Sequence, residues 1–235
     1  MKMQINIWSD VRCPFCYIGK KKFETALAQF PNKDKVEVVW RSFQLDPNLK
    51  TNPETSTLEY FMKNKGVSEQ RAKQLFGHAA QMAREVGLEF NIEESVLANS
   101  WNAHRLIQFA KTKSLGNEVE EALFMAHFTE KKNIDDMESL VEIGTSIGLD
   151  EKETRKMLNS DAFAYEVKQD EMQAKNIGVT GVPFFVFNNK YAVSGAQPAE
   201  AFLQTLEKSW EEYDKENPSW SIAEGDSCSP DGNCL

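Results

Sequence analysis

The chain has 235 residues, 41% hydrophobic and 27% charged, an ordinary globular balance with enough apolar side chains for a large core. Its formal net charge of −9 disfavours the phosphate backbone of nucleic acids as a partner. Its 4 cysteines are too few for a disulfide-stapled small fold, and no run approaches the roughly 20 apolar residues of a membrane span.

Met1-Lys2-Met3-Gln4 leads directly into a strand, with no apolar signal region or cleavage site, so a reducing, cytoplasmic setting is expected. Residues 4–9 alternate weakly and predict that strand. Residues 14–30 predict a helix, with Ile18, Phe23, Ala26, Leu27 and Phe30 as its apolar positions and Pro31 following. Between the two lies Asp10-Val-Arg-Cys13-Pro14-Phe15-Cys16-Tyr17-Ile-Gly19. Cys-x-x-Cys between a strand and a helix reads first as a thiol–disulfide site. A pair of buried structural cysteines and half of a zinc site are the other readings.

The first four N–H groups of a helix lack intrahelical partners, and the helix dipole adds roughly half a positive charge there. A thiolate at that end is therefore stabilised. Pro14 suits the first helical turn, where its missing N–H costs nothing. Cys13 is then expected at the mouth of the helix, accessible, as the attacking sulfur. Cys16 is expected one turn in and more buried, as the resolving thiol.

Val36, Val38, Val39, Trp40 and Phe43 predict a second strand, β-branched and aromatic, and complete a βαβ unit. After Asp46-Pro47-Asn48 the character changes, and residues 52 to about 176 read almost entirely as helix. Asn52-Pro53 reads as a helix cap with proline in the first turn. In residues 68–87 Ala72, Leu75, Phe76, Ala79, Ala83 and Val86 form a stripe of period 3.6, closed by Gly87. Residues 99–114 carry Ala103, Leu106, Ile107 and Ala110 on one face. Asn117/Glu120, Asp135/Glu138 and Asp150/Glu153 resemble capping boxes. Gly148 is expected to end the helix containing Leu140, Val141, Gly144 and Ile147, and a last helix, about 161–176, to end near Gly178.

Phe184 to Phe187 is a continuous apolar run, expected as a strand buried on both faces. Asn188-Asn189 suits a tight hairpin turn, and Tyr191 to Val193 is the returning strand. Gly195 breaks it, and Pro198 starts a helix with Phe202, Leu203, Leu206 and Trp210 on its apolar face. Neither β portion makes a covered sheet alone, so strands from both ends of the chain are expected to pair around an inserted helical block. The expected divisions are 1–48 and 177–215 for the two parts of the β-containing domain, 49–176 for the insertion, and 216–235 for a polar tail.

Gly178-Val-Thr180-Gly181-Val182-Pro183 precedes the returning strand signal. Proline is tolerated at the first residue of a strand. On the residues alone, a trans Val182-Pro183 bond is the ordinary expectation, and a cis bond the sharper one. In the cis form the Val182 backbone would be free to pair with an extended peptide beside the reactive sulfur.

Four separated motifs together look like the FrnE-like branch of the DsbA family. They are Asp10-x-x-Cys13-Pro14-x-Cys16-Tyr17-Ile18-Gly19-Lys20, Trp40-x-x-Phe43-x-Leu45-x-Pro47, Ala103-His104-Arg105-Leu106 and Gly178-Val-x-Gly181-Val182-Pro183-Phe184-Phe185. The resemblance covers nearly the whole chain. It implies an α/β, thioredoxin-like fold with a large all-helical inserted domain, disulfide oxidoreductase activity, and Pro183 as a cis proline facing the cysteines. Better-known DsbA proteins are exported and carry His where this chain has Phe15. A His there donates a hydrogen bond to the thiolate and Phe cannot. Cys13 is therefore expected to be a weaker acid, and the couple less oxidising, than in exported DsbA.

Ile5 and Ile7 bring no acid toward Cys16, and no buried base for it is evident. Asp10 is the nearest candidate, but is expected as an exposed loop carboxylate. Trp101 and His104 lie near a helix start that could roof the cleft; His104 is either a substrate or proton-transfer contact or a packed histidine. His78, His127, Met125, Met157 and Met172 read as structural, the methionines as gap fillers. Lys20-Lys21-Lys22 reads as a solvated helix face, and Trp8 and Tyr17 as an apolar rim where substrates dock. Cys228 and Cys234 bracket a turn-forming sequence and are either a second redox pair or idle thiols of a tail; zinc held by all four cysteines is a further alternative.

The reading that results is a thiol–disulfide oxidoreductase needing no metal or cofactor. Cys13 and Cys16 are its catalytic residues, and Pro14, Phe15, Trp101, His104, Val182 and Pro183 its substrate contacts. Its partners are thiol or disulfide substrate proteins, with glutathione or a thioredoxin-type reductant, and neither nucleic acid nor membrane; the chain is a monomer or homodimer. A glutathione-dependent isomerase or transferase of the related kappa-type fold is the rival enzyme, although such proteins carry Ser where this chain has Cys13. A non-enzymatic peptide-binding chaperone is the rival from another class.

Overall fold

The computed structural model describes residues 2–218. Strand β1 (Met3–Ser9), helix α1 (Pro14–Gln29) and strand β2 (Val36–Ser42) form a βαβ unit in which the two strands are parallel, with Ile7 opposite Trp40. Seven helices follow before the sheet resumes. They are α2 (Thr57–Lys65), α3 (Glu69–Arg84), α4 (Trp101–Lys111), α5 (Gly116–Phe128), α6 (Met137–Ser146), α7 (Glu151–Leu158) and α8 (Ala164–Asn176). Strands β3 (Phe184–Phe187) and β4 (Tyr191–Ser194) close the sheet, and α9 (Ala199–Glu216) follows.

The strand order is β2-β1-β3-β4. β1 pairs antiparallel with β3, placing Ile7 opposite Phe185, and β3 turns into β4 through Asn188 and Asn189, whose φ angles of 48° and 54° suit a hairpin. The two ends of the chain thus meet in one sheet, as expected. Helices α1 and α9 pack together on one face, where the Phe23 ring meets those of Phe185, Phe187 and Phe202 at 5.6, 6.2 and 5.8 Å. Helices α5 and α8 pack against β2. No helix among the described residues is long and apolar enough to cross a membrane.

Several local expectations change. β3 buries one face only: Phe185 and Phe187 are fully buried, while Phe184 and Val186 are half-buried along a groove shared with Trp8, Arg41 and Ile177. Asn52-Pro53 starts no helix. Asn52 Oδ1 accepts from the nearby Glu54 N–H, and α2 begins after Ser56, whose hydroxyl accepts from Glu59 N. The middle capping box moves by one residue: Asp136 caps α6, because the Asp135 carboxylate accepts from Thr51 and Asn102 across the chain. Asp150 caps α7 as expected. Met125 and Met172 are exposed rather than gap-filling, whereas Met157 is buried. Helix α9 runs on to Glu216 and buries Tyr213, although its sequence turns polar from Glu211.

The lysine run is not a solvated face. Lys20 is 1% exposed, with Nζ 2.5 Å from Glu24 Oε1 and 2.6 Å from Glu121 Oε2. Lys21 and the Tyr17 hydroxyl also donate to Glu121, at 2.5 and 2.7 Å. Tyr17 stacks on Phe124 and Phe90. These contacts join α1 to the helical block.

Candidate active site

Cys13 is the N-cap of α1, in extended conformation, and its N–H donates to the Asp10 carbonyl at 2.9 Å. Pro14 takes the first helical position, and the Cys16 N–H reaches back to the Cys13 carbonyl at 3.0 Å. This local geometry follows from the sequence: proline in the first turn sets the helix start, and the two thiols fall one turn apart. Both are free, and Cys16 is 1% exposed. Cys13 is 5% exposed, less open than expected, because the 178–183 loop lies across it. Its Sγ donates to the Val182 carbonyl at 3.6 Å.

The Val182-Pro183 bond is cis. The Pro183 carbonyl accepts from Gly195 N–H at 2.8 Å, tying the loop to the end of β4. Gly19 on α1 is what lets the helix lie against this loop. A Cβ there would sit 3.0 Å from Pro183 Cγ and 3.5 Å from Phe185 Cζ. Pro14 and Phe15 are half-buried beside the thiols. Trp101 is half-buried with Lys168 Nζ 5.9 Å from its ring. Trp8 and Tyr17 form no open rim: both are buried, and the Trp8 indole donates to the Asp170 carbonyl at 2.9 Å.

Behind the thiols lies a buried set of polar groups: Ser9, Asp10, His104 and Glu120 are each no more than 1% exposed. Asp10 is therefore not an exposed loop carboxylate. Leu45 N–H and Arg12 N–H donate to its oxygens at 2.8 and 3.2 Å, and His104 Nε2 lies 3.6 Å from Oδ1. Burial alone would raise the Asp10 pKa, but His104, Arg12 and the Leu45 N–H outweigh it and hold the carboxyl below its usual value. The converse holds for His104. Burial would lower its pKa, but Asp10, Glu120 and Glu171 raise it.

Glu120 is the residue that sequence reading missed. As a cap partner of Asn117 it would have faced solvent. Instead α5 starts at Gly116 without a side-chain cap, Asn117 Oδ1 accepts from the Trp40 indole, and Glu120 points inward. The signal was its register: Leu123, Phe124 and His127, three, four and seven residues on, are all buried. Burial pushes the Glu120 pKa up to about 7, against the opposing pull of His104, Ser9 and Lys20. Burial likewise raises the Cys16 thiol well above its usual value, and the Cys13 sulfur adds to this through a hydrogen bond and its charge, while the Asp10 backbone and Ser9 draw it down. His127, buried and with Nδ1 unpartnered among the described residues, is lowered to about 4 by burial and by the Arg12 charge.

Of the residues anticipated, Cys13, Cys16, Val182 and Pro183 come together directly, and His104 joins them through Asp10. Cys228 and Cys234, the expected second pair, lie outside the described residues.

A dithiol at a helix start, facing a cis-proline loop across a sheet built from both chain ends and carrying an inserted helical block, defines the thioredoxin-like class of DsbA type. The model of the DSBA-like thioredoxin domain matches residues 4–207, and the chain belongs to that family. It is 37% identical to the probable DsbA oxidoreductase from Streptomyces coelicolor, with a TM-score of 0.85, covering 99% of this chain and 98% of that one. The uncharacterized protein YwbO of Bacillus subtilis is 28% identical over 211 residues, 88% of this chain and 96% of its own length. The cytosolic disulfide reductase DsbM from Pseudomonas aeruginosa shares the fold, with a TM-score of 0.60 at 14% identity over 91% of this chain and 98% of that one.

Proposed function

We propose that this chain exchanges dithiol and disulfide with protein or small-thiol substrates through Cys13 and Cys16. The observation that carries the reading is the pair of free thiols one turn apart at the start of α1, with Cys13 Sγ against the Val182 carbonyl. Cys13, at the positive end of the helix dipole, attacks a substrate disulfide and forms a mixed disulfide. Cys16 attacks Cys13 Sγ and releases the substrate thiolate. The Val182 main chain lies beside the sulfur and aligns an extended substrate backbone without demanding a sequence. The small opening over Cys13 favours substrates presented as an exposed strand or a slim thiol such as glutathione.

Insulin reduction with a thiol donor tests this. Cys13→Ser is expected to abolish turnover, and Cys16→Ser to accumulate a mixed disulfide on Cys13 visible by mass spectrometry. Insulin reduction retained in Cys13→Ser overturns the reading; no reduction by the wild type, with binding of an unfolded peptide unchanged in Cys13→Ser, would instead make the chain a peptide binder.

A further inference from the structure

Four arginines among the described residues are at least partly buried: Arg12, Arg41, Arg105 and Arg155. Three of them find partners for the guanidinium within the protein. Arg41 donates to Asn6 and Asp170, Arg155 to Glu138, and Arg105 to the carbonyls of Met157 and Ala162. Arg12 is the exception. Its backbone N–H is bonded to Asp10, but its guanidinium forms no ion pair and no hydrogen bond of normal geometry among the described residues. It lies over the Tyr60 ring instead, with Cζ 5.6 Å from the centroid. A ring attracts the charge and leaves the N–H donors for another acceptor.

The ring is itself held. The Tyr60 hydroxyl donates to the Asp46 carboxylate, and Asn64 donates to the Tyr60 oxygen at 2.8 Å. The carboxylates that feel the Arg12 charge are both engaged by other donors. Asp46 accepts from Tyr60 and from the Asn48 N–H, and Asp10 accepts from the Leu45 and Arg12 N–H groups, with His104 Nε2 3.6 Å away. A cation with unclaimed donors thus stands one residue before the attacking sulfur.

We propose that Arg12 is a specificity-determining residue: it hydrogen-bonds a carboxylate carried close to the sulfur that Cys13 attacks, and so selects small acidic disulfides. This deepens the exchange reading above and rests on Cys13 being the attacking thiol. A small molecule fits better than a protein because Cys13 is only 5% exposed, with Pro14 and Phe15 half-buried beside it. Arginine suits the task because its planar fork meets both oxygens of a carboxylate. Consecutive Cα atoms are about 3.8 Å apart, so a carboxylate two carbons from the attacked sulfur stays within the span of the arginine side chain.

The Cys13 thiolate attacks one sulfur of the disulfide while the guanidinium holds the carboxylate beside it. The S–S bond breaks, and its electron pair leaves with the other half as a thiolate, which takes a proton from solvent. Cys16 gives its proton to solvent, attacks Cys13 Sγ and releases the second half, again as a thiolate that is protonated by solvent. The protein dithiol is oxidised, and the small disulfide is reduced to two thiols.

Three disulfides with two-carbon arms test this. 3,3′-Dithiodipropionate, 2-hydroxyethyl disulfide and cystamine end in carboxylate, hydroxyl and ammonium. Reduced protein is mixed with each and quenched with N-ethylmaleimide, and the loss of free thiols is followed by mass spectrometry. The neutral compound is the reference for each protein, so any effect of a substitution on the reactivity of Cys13 itself cancels. Arg12→Gln is expected to lower the dithiodipropionate rate about tenfold against that reference, and to raise the cystamine rate against it. Arg12→Lys keeps the charge without the fork; an intermediate loss is expected, and it decides the matter where Arg12→Gln does not fold. In the wild type, added salt is expected to slow dithiodipropionate more than 2-hydroxyethyl disulfide. Equal fold-changes for all three compounds, or none, in a folded Arg12 variant overturn the proposal and leave the exchange reading intact. A wild type that reacts with none of the three overturns the exchange reading, and the proposal with it.

Discussion

Glu120 illustrates how one buried group ties proton uptake to stability. Its folded pKa is raised from 4.5 to about 7, so between those values the folded chain holds a proton that the unfolded chain has lost. The stability gained from the neutral carboxyl is full below about pH 4.5 and disappears as pH rises through about 7. The shift corresponds to about 3 kcal/mol. Glu120→Gln is therefore expected to be more stable than wild type in urea at mildly alkaline pH and to lose that advantage in acid. His127 has the opposite slope. The unfolded imidazole protonates near 6.5 and the folded one only at about 4, so stability falls as pH drops between them. His127→Phe is expected to flatten that part of a pH–stability curve measured by thermal unfolding. The Asp10–His104 pair brackets the neutral range. Its carboxylate contributes above about pH 3.8, and its imidazolium contributes below about 6.5 and is lost as pH passes its raised pKa. None of these burials could be read from composition. Asp10 and Glu120 are charged residues whose surroundings are made by α4, α5 and α1 together, and a single sequence carries only the register of each helix.

At the scale of elements, the site depends on how closely α1 approaches the cis-proline loop. Gly19→Ala would place a methyl 3.0 Å from Pro183 Cγ, and neither the helix nor the loop is a flexible chain end. Overpacking of this kind costs about 1–3 kcal/mol, to be read as a lowered midpoint in chemical denaturation. Because the displaced partner is the loop over Cys13, the alkylation rate of Cys13 is expected to change with it. Strands and long helices were legible where a strong period met a clear stop, as in α3 with Gly87 and the hairpin at Asn188-Asn189. Caps were less so. An Asn, an Asp or a Glu serves a helix end or a distant partner equally well, and Trp40, Thr51 and Asn102 claimed the side chains of Asn117 and Asp135.

For the whole molecule, the discontinuous architecture followed from a simple argument: neither β portion could cover itself. What fastens the helical block to α1 did not, because Lys20-Lys21-Lys22 has the composition of a wet surface. Glu121 is the fastening point, accepting from Lys20, Lys21 and Tyr17. Glu121→Ala would leave the Lys20 ammonium, with its side chain 2% exposed, facing Glu24 alone. Because Glu24 still pairs with Lys20 and Glu121 is itself partly exposed, the loss is that of hydrogen bonds to a charged group, about 1.5–3 kcal/mol, and urea unfolding is the measurement that checks it. A matching loss in Lys20→Met would be smaller, since that change removes the buried charge as well as the contact.

Val182 follows Cys13 by 169 residues, so the two sides of the cleft are made at very different times. At about 5–20 residues per second of synthesis, the thiols leave the ribosome roughly ten to thirty seconds before the loop that shelters them. Over that interval the nascent chain carries them as bare sulfhydryls, open to capping by any small disulfide in its surroundings. The finished enzyme is thus armed from its far end, and a message truncated before the hairpin codons yields the cysteines without the cleft.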